Sequence, residues 1–184
     1  SNTINGYRTM AIGTNNVFDS ISGVSLSVGV GNSIIGHGAN VAFGEIQVID
    51  SAEASSIIYG YGNYIGNGAN DAVAGGTSTS VYGLAGIGFG IGNEVSGEAG
   101  AAIGGSGNYA NGYHSGLFAS TGIEAEDTSA VAIGGQNNSV SGVNAAILGG
   151  ENNFTSGRNT VVLGGNGISG TMANTTYVDS LRVG

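Results

Sequence analysis

Tyr64, Tyr109 and Phe154 stand 45 residues apart, each one place after an asparagine. Rings repeated at a fixed interval among Asn, Ser and carboxylates suit sugars. The apolar ring face stacks on a pyranose, and the polar surroundings hydrogen-bond its hydroxyls. Tyr59, Tyr61, Tyr82 and Tyr113 extend the set. The competing reading of the same rings is structural, as packing between chains or cover for turn ends. Two further stretches, "GEIQVIDSAEAS" (44–55) and "GIEAEDTSA" (122–130), hold six of the twelve carboxylates. Their departure from the surrounding pattern predicts loops that leave a regular wall, where binding diversity concentrates; a solvated cluster serving solubility is the plain alternative. The receptor-binding candidates are therefore Tyr61, Tyr64, Tyr109, Tyr113, Phe154, Glu124, Glu126 and Asp127. Two carboxylates in a groove between chains could cleave a glycosidic bond. Nothing in the spacing of Glu124, Glu126 and Asp127 requires that, so no catalytic residue is assigned and the chain reads as a binder.

Other chemistries fail on composition. Lysine is absent, and Arg8, Arg158 and Arg182 oppose twelve carboxylates for a net charge of -9. Phosphate neutralisation needs clustered cations, so nucleic acid and anionic membrane surfaces are poor partners. No run approaches the roughly 18 apolar residues of a membrane span, so no membrane insertion is expected. Residues 165–170, "GNGISG", fit G-x-G-x-x-G, but in a chain with 38 glycines and no βαβ context the match is noise. His37 and His114 are isolated and read as bend residues. Asp71 closes "GNGAND" (66–71) without the repeated aspartates of a calcium ladder. No cofactor and no metal are expected.

What positions the candidates is a repeat. The pattern Asn, any, apolar, any, Gly begins at Asn32, Asn93, Asn108, Asn138, Asn153 and Asn166, with looser copies at Asn16 and Asn63. Degenerate copies near Gln47, Ser78 and Ile123 fill the double gaps, giving a unit of about 15 residues and about eleven turns. The second half of each unit is a short strand ending in glycine, as in "VAFG" (41–44), "AAIG" (101–104) and "VVLG" (161–164). Such a unit is too short for a helix and a strand. Two short strands joined by bends that need φ > 0, which Gly and Asn tolerate, do fit it. The fold class is all-β, a parallel β-solenoid over residues 1–170, followed by a connecting segment, 171–184.

Within the unit, the second residue after each anchor (Phe18, Ile34, Ile65, Val95, Ala110, Val140, Thr155, Ile168) is mostly apolar and predicted inward. The first (Val17, Ser33, Tyr64, Glu94, Tyr109, Ser139, Phe154, Gly167) is mixed and predicted outward. One 15-residue coil encloses a thin core, too small for a comfortable lone chain. The residue before each strand-ending glycine forms a second apolar ladder: Ile12, Val28, Phe43, Tyr59, Ile103, Ile133, Leu148, Leu163. Packing of that ladder against other copies predicts a homotrimer.

The units "AVAIGGQNNSVSG" and "AAILGGENNFTSG" resemble the head repeats of trimeric autotransporter adhesins. The resemblance covers residues 8 to 170. It implies a left-handed β-roll in a YadA-like homotrimer, intertwined or side by side, on a bacterial outer surface and binding host cells or matrix. Similar Gly-Asn repeats occur in bacteriophage tail fibres, where a segment like "NTTYVDSLRVG" (174–184) joins a C-terminal intramolecular chaperone that cleaves itself off. That second likeness is favoured. It implies an extracellular virion fibre whose partner is a bacterial surface glycan or outer-membrane receptor, with a fibre-borne depolymerase as a further possibility.

Overall fold

The computed structural model describes residues 1–6, 8–21 and 23–182. Among these residues there is no helix; the chain winds through two parallel sheets of 12 strands each. Sheet A gathers the strands that follow the anchors, such as Glu94–Val95 and Tyr109–Ala110. Sheet B gathers the strands of the second half-unit, such as Val73–Thr77 and Val131–Ile133. Each strand pairs with its equivalent one turn on, Val73 with Ile87 and Tyr109 with Glu124, so the turns stack as a parallel solenoid. The 12 strands of each sheet stack in eleven steps, close to the expected number of about eleven turns. At ~4.8 Å per step the rod is roughly 53 Å long.

Two kinds of bend join the sheets, and both explain the composition. One places a residue with positive φ directly before each anchor: Asn15 (φ 56), Gly62 (φ 62), Gly92 (φ 59), Asn137 (φ 52) and Asn152 (φ 55). Only Gly and Asn enter that region at little cost, so the unit reads Gly-Asn or Asn-Asn. Ser78 (φ 54), before Thr79, and Ile46 (φ 57) are exceptions, and Ile46 is the costlier, a β-branched residue in the left-handed region. The glycine that ends the sheet B strand answers a second demand. A Cβ on Gly29 would lie 1.8 Å from the carbonyl oxygen of Gly44, and one on Gly60 2.1 Å from that of Gly76. Successive turns touch backbone to backbone there.

The anchors line up inside the rod. Asn16, Asn32, Gln47, Asn63, Thr79, Asn93, Asn108, Ile123, Asn138 and Asn153 are all buried in one column. Each amide oxygen accepts the backbone N–H of the next member: Asn32 from Gln47 (3.0 Å), Gln47 from Asn63 (3.1 Å), Asn63 from Thr79 (2.9 Å) and Asn138 from Asn153 (2.8 Å). The amide nitrogen donates to carbonyls of its own turn and the next, as Asn63 does to Tyr59 (2.8 Å) and Gly76 (3.0 Å). An amide of asparagine's length accepts from one turn and donates to two carbonyls from this position, and so asparagine recurs. Bonding from coil to coil along the column is thus chiefly amide to backbone; Asn108 to Asn93 adds an amide-to-amide bond at 3.1 Å.

Beside this column runs the hydrocarbon core. Sheet A contributes Phe18, Ile34, Ile49, Ile65, Val81, Val95, Ala110, Ala125 and Val140, and sheet B contributes Ala42, Ile58, Ala74, Ala102, Leu117, Ala132, Ile147 and Val162. Sizes compensate between the sheets. Gly88 of sheet B faces Val81 and Val95, whose methyls would lie 3.0 and 3.6 Å from a Cβ there.

Four expectations change in detail. Asn166 is not an anchor: it pairs with Glu151 on the rim, and Ile168 takes the column position, its N–H donating to Asn153 Oδ1 at 2.9 Å. The outward and inward places of that turn therefore go to Ser169 and Gly170, not to Gly167 and Ile168. Near Ser78, the column residue is its neighbour Thr79. Asn2 opens one further turn, its Oδ1 accepting the Asn16 N–H at 3.0 Å. The segment 171–184 contributes Thr176–Val178, which pairs with Val161–Leu163 and extends sheet B.

Candidate binding faces

The two outer faces of the rod differ completely in chemistry. Sheet A shows two outward columns. The first runs Val17, Ser33, Val48, Tyr64, Ser80, Glu94, Tyr109, Glu124, Ser139, Phe154, Ser169. The second, two residues on, includes Asp50, Gly66, Tyr82, Ser96, Asn111, Glu126 and Ser141, in the same order of turns. Tyr64, Tyr109 and Phe154 thus share one column three turns apart, about 14 Å between neighbours. Tyr109 and Phe154 are about two-fifths exposed.

One part of this face is denser than the rest. Tyr64 and Tyr82 lie on a diagonal with ring centroids 5.6 Å apart and planes tilted by 48°. Gly66 sits beneath both: a Cβ there would meet Tyr82 Cδ1 at 2.6 Å and Tyr64 Cε1 at 3.1 Å. The Tyr64 hydroxyl donates to Asp50 Oδ2 at 3.0 Å. Burial, then that bond and the Asp50 charge, raise the Tyr64 pKa above its ordinary value, so the hydroxyl remains a donor through neutral pH.

Sheet B presents the opposite character. Its outward columns are Met10, Leu26, Val41, Ile57, Val73, Ile87, Ala101, Gly116, Val131, Ala146, Val161, Thr176 and Ile12, Val28, Phe43, Tyr59, Gly75, Phe89, Ile103, Phe118, Ile133, Leu148, Leu163, Val178. No charged residue stands in either. Phe43, Tyr59, Phe118, Ile133, Leu148 and Leu163 are all exposed in the single chain. Tyr59 and Phe89 lean over Gly75, centroids 5.7 Å apart, so the apolar column has no gap. The next position along these strands alternates in character, running Val30, Glu45, Tyr61, Thr77 and Ile91.

The candidates therefore divide. Tyr64, Tyr109 and Phe154 share the sheet A face with Glu124 and Glu126. Tyr61 does not join them: it extends sheet B, as Tyr59 does. Tyr113 lies on the bend between the sheets, its ring centroid 3.8 Å from that of His114 and the planes tilted by 51°. Asp127 is on the same bend, its Oδ1 accepting the Thr128 N–H at 2.7 Å. The two acidic stretches do not leave the wall. Val48–Ala52, with a register shift against Ser33–Gly36, and Glu124–Ala125 are sheet A strands, because Gln47 keeps the anchor amide and Ile123 fills the same buried place with hydrocarbon. Tyr82 is the residue whose place in the site spacing alone understates; it falls two positions after the aromatic column, which at period two is the same face. Among the described residues no three His, Asp or Glu side chains gather closely enough to hold a metal ion.

Comparison with protein-family models and with curated proteins finds no match for this chain.

Proposed function

We propose that this chain is a module of an extracellular homotrimeric fibre that attaches to a bacterial surface, a virion tail fibre with a glycan or other outer-membrane receptor. The observation that carries the reading is the segregation of the two faces. A stripe about 53 Å long and two columns wide exposes on the order of 700 Å² of continuous apolar surface. Monomers rarely leave that much uncovered. Its occupant is another copy of the same chain, because a parallel neighbour repeats the same ~4.8 Å rise and brings like turn against like turn. Beside the stripe, Glu45 and Thr77 interleave with Val30, Tyr61 and Ile91, so the apolar seam ends there at a polar rim. The threefold form is the one that the resemblance to trimeric fibre repeats implies, with each stripe turned to the axis of a parallel bundle. Ile46 fits the same account. A β-branched residue at φ 57, half exposed, costs about 1–2 kcal/mol in a lone chain, and contact with a partner would offset it.

Sheet A, with its rings, serines and carboxylates, is then the outer wall of the fibre and faces the receptor. The test is retention of labelled protein on bacterial cells, for the parent and for Ile133→Asp. Retention of the parent and its loss with the trimer in the variant is the expected result, since linked sites gain by avidity. A parent that binds no bacterial surface in a broad panel ends the attachment reading.

A further inference from the structure

We infer that the Tyr64–Tyr82 pair over Gly66 is a sugar-stacking platform selective for uncharged pyranoses, and that it, not the wider aromatic column, is the primary receptor subsite. The inference rests on the attachment reading only for its biological setting; the platform itself is argued from its geometry.

Three features set this spot apart from the rest of sheet A. First, the rings lie down. Gly66 leaves open the volume above the backbone into which Tyr64 and Tyr82 lean from adjacent turns, with contacts as short as 2.6 Å to the position of an added Cβ. Rings laid over backbone turn their other faces to solvent, and a tilt of 48° at 5.6 Å makes them a shallow trough with room for one sugar ring. Second, the trough is fixed in advance. The 3.0 Å bond from the Tyr64 hydroxyl to Asp50 Oδ2 holds one wall, so ordering that ring is not charged to the ligand. Tyr109 and Phe154 lack this arrangement: their neighbours in the second column are Asn111 and Ser156, and among the described residues neither is paired with another ring.

Third, the charge around the trough fixes the ligand class. Asp50 stands on one side and Glu94 two turns from Tyr64 on the other, its Oε1 accepting the Ser96 hydroxyl at 3.1 Å. The outward columns of sheet A contain no Arg, and the protein has no Lys. Carboxylates accept hydrogen bonds from sugar hydroxyls and repel sialate, uronate or phosphate groups. The ligand is an uncharged hexopyranose or N-acetylhexosamine unit.

The experiment uses the full chain on surfaces bearing uncharged oligosaccharides (gluco-, manno-, galacto- and N-acetylglucosamine series) and acidic ones (sialyllactose, oligogalacturonate). Three variants are compared with the parent: Tyr82→Ala, Gly66→Ala and Tyr109→Ala, each checked for assembly and melting. Gly66→Ala keeps both tyrosines but lifts the rings, so it separates the platform from the mere presence of aromatics. At least one uncharged series is expected to be retained and the acidic ones not. Tyr82→Ala and Gly66→Ala should each lower retention tenfold or more, and Tyr109→Ala less than threefold. Retention of acidic sugars only, of none, or equal retention by parent and both platform variants overturns the inference. If cells are bound in that case, the attachment reading survives it. If uncharged sugars are bound through the platform while no bacterium is, the platform stands and the attachment reading falls.

Discussion

The side-chain oxygen of Asn93 accepts the backbone N–H of Asn108, one turn on, at 3.0 Å, while its nitrogen donates to the carbonyls of Phe89 and Gly104. One buried amide thus satisfies three backbone groups in a place no water reaches. Asn93→Ala removes all three bonds, leaving the Gly104 carbonyl only the Asn108 nitrogen at 3.3 Å, so a loss of about 2–3 kcal/mol is expected. Gln47 supplies the contrast. Its oxygen still accepts the Asn63 N–H, but its nitrogen, one methylene further out, is buried without a partner in the protein. Gln47→Asn should therefore stabilise by about 1 kcal/mol. Urea unfolding of the two variants measures both, and equal, small effects would sink the role given to the column.

Glycines at two kinds of bend should respond differently to alanine. On Gly60 (φ 113) a Cβ would sit 2.1 Å from the Gly76 oxygen, whereas on Gly68 (φ 83) it would meet nothing within 4 Å. Gly60→Ala should cost about 3 kcal/mol or more, since both backbone strain and a clash apply. Gly68→Ala should cost about 1 kcal/mol, from φ alone. Thermal melts that fail to separate the two would contradict the stacking distance of the turns.

The Tyr64 hydroxyl gives a pH signature. Burial first, and the Asp50 bond and charge next, raise its pKa in the folded chain. A group whose folded pKa exceeds its unfolded value of about 10 stabilises fully below that pH. That contribution is lost as pH rises through the folded pKa, when the phenolate forms beside Asp50. Tyr64→Phe should remove this part of the alkaline destabilisation. Phenolate absorbance of parent and variant, followed with stability above pH ~10, checks it; an unchanged alkaline profile in Tyr64→Phe rejects the assignment.

Much of this architecture was legible from spacing. A period held through anchors from Asn16 to Asn153 places an amide in one column, and parity within each strand then separates Val140 from Ser139, inward from outward. Parity does not carry across a bend. Tyr61 ends the sheet B strand Ile57–Tyr61, and the bend at Gly62 (φ 62) separates it from Tyr64 three residues on. The 166–170 turn misled for a different reason: "NGISG" imitates the anchor phrase, but backbone bonding from Asn153 selects Ile168. Glu124 and its neighbours looked like a loop because the anchor was missing; hydrocarbon at Ile123 turns out to fill the column without breaking the wall. The Tyr64–Tyr82 pairing needed the glycine between them to be seen in three dimensions.

Charge on sheet A should matter to range more than to strength. Replacing Glu124, Glu126 and Asp127 by their amides removes carboxylates that are exposed or on a bend. Such surface charges act through a screened field, so the salt dependence of binding should change while affinity at physiological salt moves by less than about 1 kcal/mol. Cell retention across a salt series tests this, and a large loss at all salt concentrations would instead put these residues in the receptor contact itself.

The most direct test of the account is the mass of the purified chain in solution by light scattering, repeated on dilution. If the sheet B face is the seam between copies, the particle weighs three times 17.9 kDa and persists at low concentration. Ile133→Asp, which puts a charge into that seam without touching the buried core, then yields a smaller particle that keeps its β-sheet signal. A stable 17.9 kDa monomer of the parent chain, folded and soluble with its apolar face open to water, would contradict the account at its centre.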